Sequence, residues 1–219
     1  MREAKNKDAI VDQIRVRTGF SVDVFDDPEE KTCIYKEICR KLAKYTDFGE
    51  KEALITSIGT GSIGVAAYSK GNILFNQTLK VGAMKLSEIF EPVYESSSEF
   101  YVVLEEYLKG FTYVFNNLIP IDNIKYFIGA GQELHFIGEM CAYKKDENFV
   151  YIRRKDLYDL YDIIRENTVE YVMEKYNFQE EKAEAILPSL VIYKTMLEFT
   201  EADEILCPFA VLPEVVLDN

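Results

Sequence analysis

The segment from Leu54 to Ala67 (Leu-Ile-Thr-Ser-Ile-Gly-Thr-Gly-Ser-Ile-Gly-Val-Ala-Ala) constrains this chain more than any other stretch. An apolar, strand-like run enters a Gly-Thr-Gly-Ser turn and a second such run leaves it, which is the pattern of a tight hairpin. Glycines at Gly59 and Gly61 let backbone approach a ligand closely. They also let the N–H groups of Gly59, Thr60, Gly61 and Ser62 turn towards one point, as in a phosphate cradle. The same glycines serve the geometry of an ordinary hairpin turn, so the local sequence leaves both readings open.

The pattern on either side of this hairpin alternates helices and strands. Residues 1–19 carry Ile10, Val11, Ile14 and Val16 with partial helical periodicity and stop at Gly19. Phe20 to Phe25 alternates apolar and polar, which predicts a strand. Asp27-Pro28-Glu29-Glu30 reads as a helix start with Asp27 as N-cap and acids in the first turn. That helix points Ile34, Tyr35, Ile38 and Leu42 at a core. Three strands follow as a meander, Ala53–Ile58, Gly64–Ser69 and Ile73–Val81, the last two joined at Lys70-Gly71-Asn72. A short helix is expected over Met84–Phe90 and a long aromatic one over Phe100–Leu118. Tyr126-Phe127-Ile128 is then a buried strand ending in a second glycine turn, Gly129-Ala130-Gly131. Helices are expected through His135–Met140, over Arg153–Asn177 in two pieces, and over Glu180–Phe199 despite Pro188. A strand at Ile205–Cys207 comes next, and Val211–Leu217 fits either state. No Pro/Gly/Ser-rich linker interrupts the chain, so one α/β domain is expected: a mixed sheet opening with an antiparallel meander, helices on both faces.

Charge narrows the partners. The 219 residues carry 38 acids against 25 bases, a net charge of −13. Such a surface repels nucleic-acid backbones, and no basic stripe with interleaved aromatics offsets it. A phosphate ligand would be repelled overall too, so its site must rely on local backbone dipoles or a bound cation. No long uncharged apolar run predicts a membrane span, and Met-Arg-Glu-Ala-Lys-Asn lacks a signal peptide's apolar core, so a cytoplasmic location is expected. Cys33, Cys39, Cys141 and Cys207 include no C-x-x-C pair and read as free thiols.

With both glycine turns placed, the order of motifs resembles the exopolyphosphatase / guanosine pentaphosphate phosphohydrolase (Ppx/GppA) family, of the actin-like, ribonuclease-H-like ATPase superfamily. Arg2-Glu3-Ala4-Lys5-Asn6 is similar to that family's "A-L-R-E-A-x-N", and Thr18 to Val24 to its "T-G-L-x-V-x-V". Glu29-Glu30-Lys31-Thr32 sits where "E-E-A-R" is expected, and Ser57 to Gly64 where "D-I-G-G-G-S-T-E" is. Leu79 to Leu86 follows "L-x-x-G-A-x-x-L", Ile128 to Gln132 "T-G-G-T", and Ala185 to Ser189 "V-I-L-P-G".

The resemblance implies an actin-like ATPase fold, a Mg²⁺ cofactor, and hydrolysis of terminal phosphoanhydrides in polyphosphate or guanosine pentaphosphate. It also implies an N-terminal half that would precede residue 1 and supply the other wall of the catalytic cleft. Glu30, beside Glu29, falls at the family's water-activating base, although both acids equally suit a helix first turn. Gly59, Thr60, Gly61 and Ser62 fall at the phosphate loop, with Gly129 and Gly131 as a second anion seat or a plain strand-to-helix turn.

Against the family pattern, Ser57 replaces the loop acid, Gly64 the acid closing that motif, and Thr32 an arginine. The terminal "G-L-R-E-G" falls on Ala210 to Glu214 without its Arg or Glu in register. Two functions therefore compete: a phosphohydrolase domain inactive in isolation, and a catalytically dead module that binds an anion or forms a homodimer. Weak anion binding is expected, since no Lys or Arg lies in the loop. His135, the single histidine, and the aromatic helix read as packing. Tyr151 to Lys155, the one basic cluster, reads as a solvated helix start.

Overall fold

Alternation along the central strands divides the interior between two sides of one sheet. The structure, a computed structural model, describes residues 5–45, 51–59, 61–90, 97–119, 124–141, 144–145 and 149–209. Strands β1 (Glu52–Ile58), β2 (Ile63–Ser69), β3 (Asn72–Leu79), β4 (Tyr126–Ala130), β5 (Lys144–Lys145), β6 (Phe149–Arg153) and β7 (Glu204–Pro208) form a seven-stranded sheet in the order β3-β2-β1-β4-β7-β6-β5. The expected meander is present: β1–β2 and β2–β3 pair antiparallel, with Ser57 opposite Gly64 and Ile58 opposite Ile63. β4 then joins β1 in parallel, with Ser57 opposite Ala130, and β7 joins β4 in parallel.

Both faces are covered, so β1 is buried almost throughout. Ala53 and Ile55 pack with Ile34, Tyr35, Ile38 and Leu42 of helix α2 (Asp27–Tyr45) on one side. Leu54 and Ile58 join the larger core on the other. That side holds α3 (Ala83–Phe90), α4 (Ser97–Leu118), α5 (Gln132–Met140), α6 (Arg154–Arg165), α7 (Val169–Tyr176) and α8 (Glu180–Leu197). Helix α8, buried nearly all round and carrying Pro188, touches all five of the others. Tyr101 of α4 is 2% exposed and packs edge-on to Tyr161, so this part of the aromatic helix is core. Among the described residues no helix is long and apolar enough to cross a membrane.

Three expectations change. Phe20 to Phe25 is not a strand: after α1 (Lys7–Thr18) the chain runs on without a strand partner, with Phe20 71% and Phe25 40% exposed. Alternation supplies a pleat's side-chain pattern, but a strand also needs a neighbour's ladder. Helix α2 is capped one residue earlier than expected. Asp26 Oδ1 accepts from Glu29 N at 2.8 Å while Glu29 Oε2 accepts from Asp26 N at 2.9 Å, a capping box that moves the cap from Asp27 to Asp26.

Tyr151 to Arg153 belongs to strand β6, and Arg154 is no solvated helix start. Its guanidinium donates to the carbonyls of Leu197 (3.0 Å), Thr200 (2.7 Å) and Ala202 (2.8 Å), tying α6 to the end of α8. Residues 1–4 of the first motif and Ala210 to Glu214 lie outside the described residues, as does Val211–Leu217.

Candidate functional site

The register of the sheet brings both glycine turns to one place. Because β1 and β4 run parallel with Ser57 opposite Ala130, the turn after β1 and the turn after β4 open side by side at the strands' carboxyl ends. That is where open α/β sheets receive ligands. The two backbones nearly touch: a Cβ on Gly131 would stand 2.7 Å from the Ile58 carbonyl oxygen, and Gly131 has φ +151°. Glycine is therefore required at Gly131, which also caps the N-terminus of α5. Gly129 meets a different demand. A Cβ there would overlap Leu134 and stand 3.1 Å from both Ile205 and Tyr193, so Gly129 lets a helix and two neighbours close over the strand.

The first two turns of α2 cross above the β1–β2 hairpin, and this contact carries the site's chemistry. Lys31 is 3% exposed, and its Nζ donates to Ser57 Oγ at 3.1 Å and to the Ser57 carbonyl at 3.3 Å. One turn on, at the i,i+4 spacing that shares a helix face, Tyr35 is 2% exposed. Lys31 and Tyr35 meet over Gly64, where a Cβ would overlap the Tyr35 hydroxyl and stand 2.9 Å from Lys31 Cδ. Ser57 and Gly64 are directly opposed in the ladder. The two positions at which acids were expected thus form one cross-strand pair, roofed by a lysine stem and a phenol. A cation at this loop was not expected from the sequence, because Lys31 is 26 residues from Ser57.

The other predicted residues take varied places. Gly59 directs its N–H to the Ser62 carbonyl at 2.9 Å within the hairpin, and its carbonyl accepts from Ala83 N at 3.1 Å. Thr60 lies outside the described residues. Gly61 is exposed at the tip with nothing within 4 Å of where a Cβ would stand, and Ser62 is buried. Glu29 is occupied by the capping box, and Glu30, the next residue, is half-buried. Thr32 folds back to bond the Pro28 carbonyl at 2.8 Å. His135 stacks on Phe209 and lies 3.6 Å from Cys207 Sγ, a packing role as expected.

Sequence reasoning did not single out Glu133, in the first turn of α5. Burial pushes its carboxyl up from the ordinary value, while its own backbone N–H and the charge of Lys31 pull the other way. One signal could have found it: an acid just after a glycine turn that opens a helix.

These residues do not fit Mg²⁺. That ion takes oxygen ligands in a near-octahedral shell, carboxylates first among side chains. At the end of β1 stand a serine hydroxyl and a buried ammonium instead. Like charges 4 Å apart repel by roughly 4 kcal/mol per unit charge pair at an effective dielectric of about 20, so Lys31 opposes a divalent ion here. Among the described residues no group of three His, Cys, Asp or Glu could hold a metal. Nor does the Lys31–Ser57 pair make a nucleophile open to polymers, since Ser57 is 2% exposed.

The Tyr35 hydroxyl has no hydrogen-bond partner although it is buried. A buried donor left unmade costs about 1–3 kcal/mol, so Tyr35→Phe is expected to stabilise the domain by about 1 kcal/mol once the small void is counted. A denaturant midpoint that rises at unchanged m-value is the signature, and a fall would mean the hydroxyl is satisfied in solution.

The profile of the Ppx/GppA phosphatase family matches residues 1–219. No curated protein matches the sequence. An exopolyphosphatase from Cytophaga hutchinsonii is similar in structure, with a TM-score of 0.82 and 19% identity over 99% of this chain and 70% of its own. The Ppx/GppA enzyme of Aquifex aeolicus gives a TM-score of 0.77 and 20% identity over 99% of this chain and 71% of its own. An exopolyphosphatase-like protein gives 0.68 and 11% over 100% and 74%. At these identities the likeness to the solved structures is one of fold.

Proposed function

Because this chain belongs to the Ppx/GppA phosphatase family, we propose that it is a phosphoanhydride-binding domain of that family that does not hydrolyse its ligand. The ligand is the terminal phosphate of polyphosphate or of guanosine pentaphosphate, received where the β1–β2 hairpin and the start of α5 open side by side. One observation carries the reading: the Lys31 ammonium sits 3.1 Å from the hydroxyl that replaces the loop acid. A fixed cation attracts a phosphate, but it neither recruits Mg²⁺ nor takes a proton from water while charged. Glu30 alone, without a metal to position water against phosphorus, supplies no comparable route.

Phosphate release is the direct test. With Mg²⁺ present, release from polyphosphate and from pppGpp is expected to proceed no faster than in buffer. Turnover that disappears in Glu30→Gln would overturn the reading and return the chain to the hydrolases.

A further inference from the structure

We propose that Lys31 stands in for the divalent cation at this loop, so that the domain takes its phosphoanhydride as the metal-free anion. The inference rests on the anion-binding reading above and adds to it the form in which the ligand arrives.

Three observations on the chain's own residues converge. The ammonium is positioned by the fold, since the Lys31 stem lies against Gly64 and its Nζ is held by both oxygens of Ser57. A charge anchored in this way needs no reorganisation when an anion arrives, unlike that of a surface lysine. The Lys31 side chain is itself 3% exposed, so an anion meets its charge through the hairpin and not by contact. Gly61 is exposed at the tip, and the N-terminus of the nine-residue α5 lies at the adjoining strand end. Over Gly64, next to the Lys31 stem, the Tyr35 hydroxyl is buried without a partner, and an orphan donor of that kind calls for an explanation. Glu133 is the opposing element: its carboxylate feels Lys31, and it competes with an incoming phosphate for that charge.

Tripolyphosphate binding, followed by calorimetry and by amide shifts at Gly59, Gly61 and Ser62, separates the alternatives. In EDTA the wild-type chain is expected to bind, and Mg²⁺ to leave the affinity unchanged or lower it, because a Mg²⁺-bound ligand carries its own counter-charge to a site that already has one. Lys31→Met is expected to weaken binding about tenfold or more, Lys31→Arg less, and Glu133→Gln to tighten it about threefold or more. Binding that requires Mg²⁺ would overturn the proposal and leave the anion-binding reading standing. Unchanged affinity in a Lys31→Met chain with an intact melting transition would also overturn the proposal, and would leave anion binding to rest on the backbone N–H groups without the lysine. No binding with or without Mg²⁺ would overturn both. The Mg²⁺ comparison uses only the wild-type protein, so it decides the question even where a Lys31 variant does not fold.

Discussion

Restoring glutamate at Gly64 is expected to destabilise the domain by about 3 kcal/mol or more, because overpacking and the burial of a carboxylate act together there. The first atom of the new side chain would already overlap the Tyr35 hydroxyl and press on Lys31 Cδ. Neither neighbour can swing aside, since Tyr35 is wedged in the α2-side core with Ile34, Ile38 and Leu42 and Lys31 is held at Ser57. For a chain of this size roughly 2–4 °C of melting temperature accompanies each kcal/mol, so a fall of roughly 6–12 °C should be seen. The partner substitution identifies the cause. Tyr35→Phe removes the overlapping atom, so the double variant is expected to lose at least about 1 kcal/mol less than the sum of the two single changes. Strict additivity would mean that Tyr35 is not what excludes the acid. The result bears on function, because it says that an acid cannot be returned to this hairpin one residue at a time.

Gly131→Ala is expected to cost about 2–4 kcal/mol, combining a left-handed φ with a clash against backbone that cannot rotate away. The clash is with the Ile58 carbonyl, 2.7 Å from the new Cβ, at the point where the two glycine turns abut. Relief requires the ends of β1 and β4 to part, which would move the start of α5 away from the hairpin. Phosphate binding should therefore weaken along with stability. Gly61→Ala provides the contrast, since its Cβ would meet nothing within 4 Å, and it should change stability by no more than about 0.5 kcal/mol. Equal effects from the two glycines would contradict the arrangement of the site.

The elements that local chemistry specifies were legible from the sequence. The meander follows from short turns between apolar runs, and the strand at Tyr126 from a buried run ended by glycines. Helix α8 keeps Pro188 inside its apolar stretch, as expected. The family was legible because its motifs recur in order, and its profile spans residues 1–219. Local patterns failed where a segment's state depends on what lies next to it. Phe20 to Phe25 alternates correctly yet has no strand beside it, and Phe149 to Arg153 is a strand because β7 is there to pair with it.

Within the candidate site, the two replaced acids and the glycines around them are legible from residue identity alone, as is the one helical turn between Lys31 and Tyr35. That these groups belong together follows from packing. Ser57 and Gly64 become neighbours through strand register, and Lys31 and Tyr35 reach them because α2 packs on that face of the sheet and not the other. Residue spacing encodes which side chains share a face of one element. Which two faces meet is settled by burial of the whole core, and that is why a lysine 26 residues away from Ser57 supplies the loop's charge.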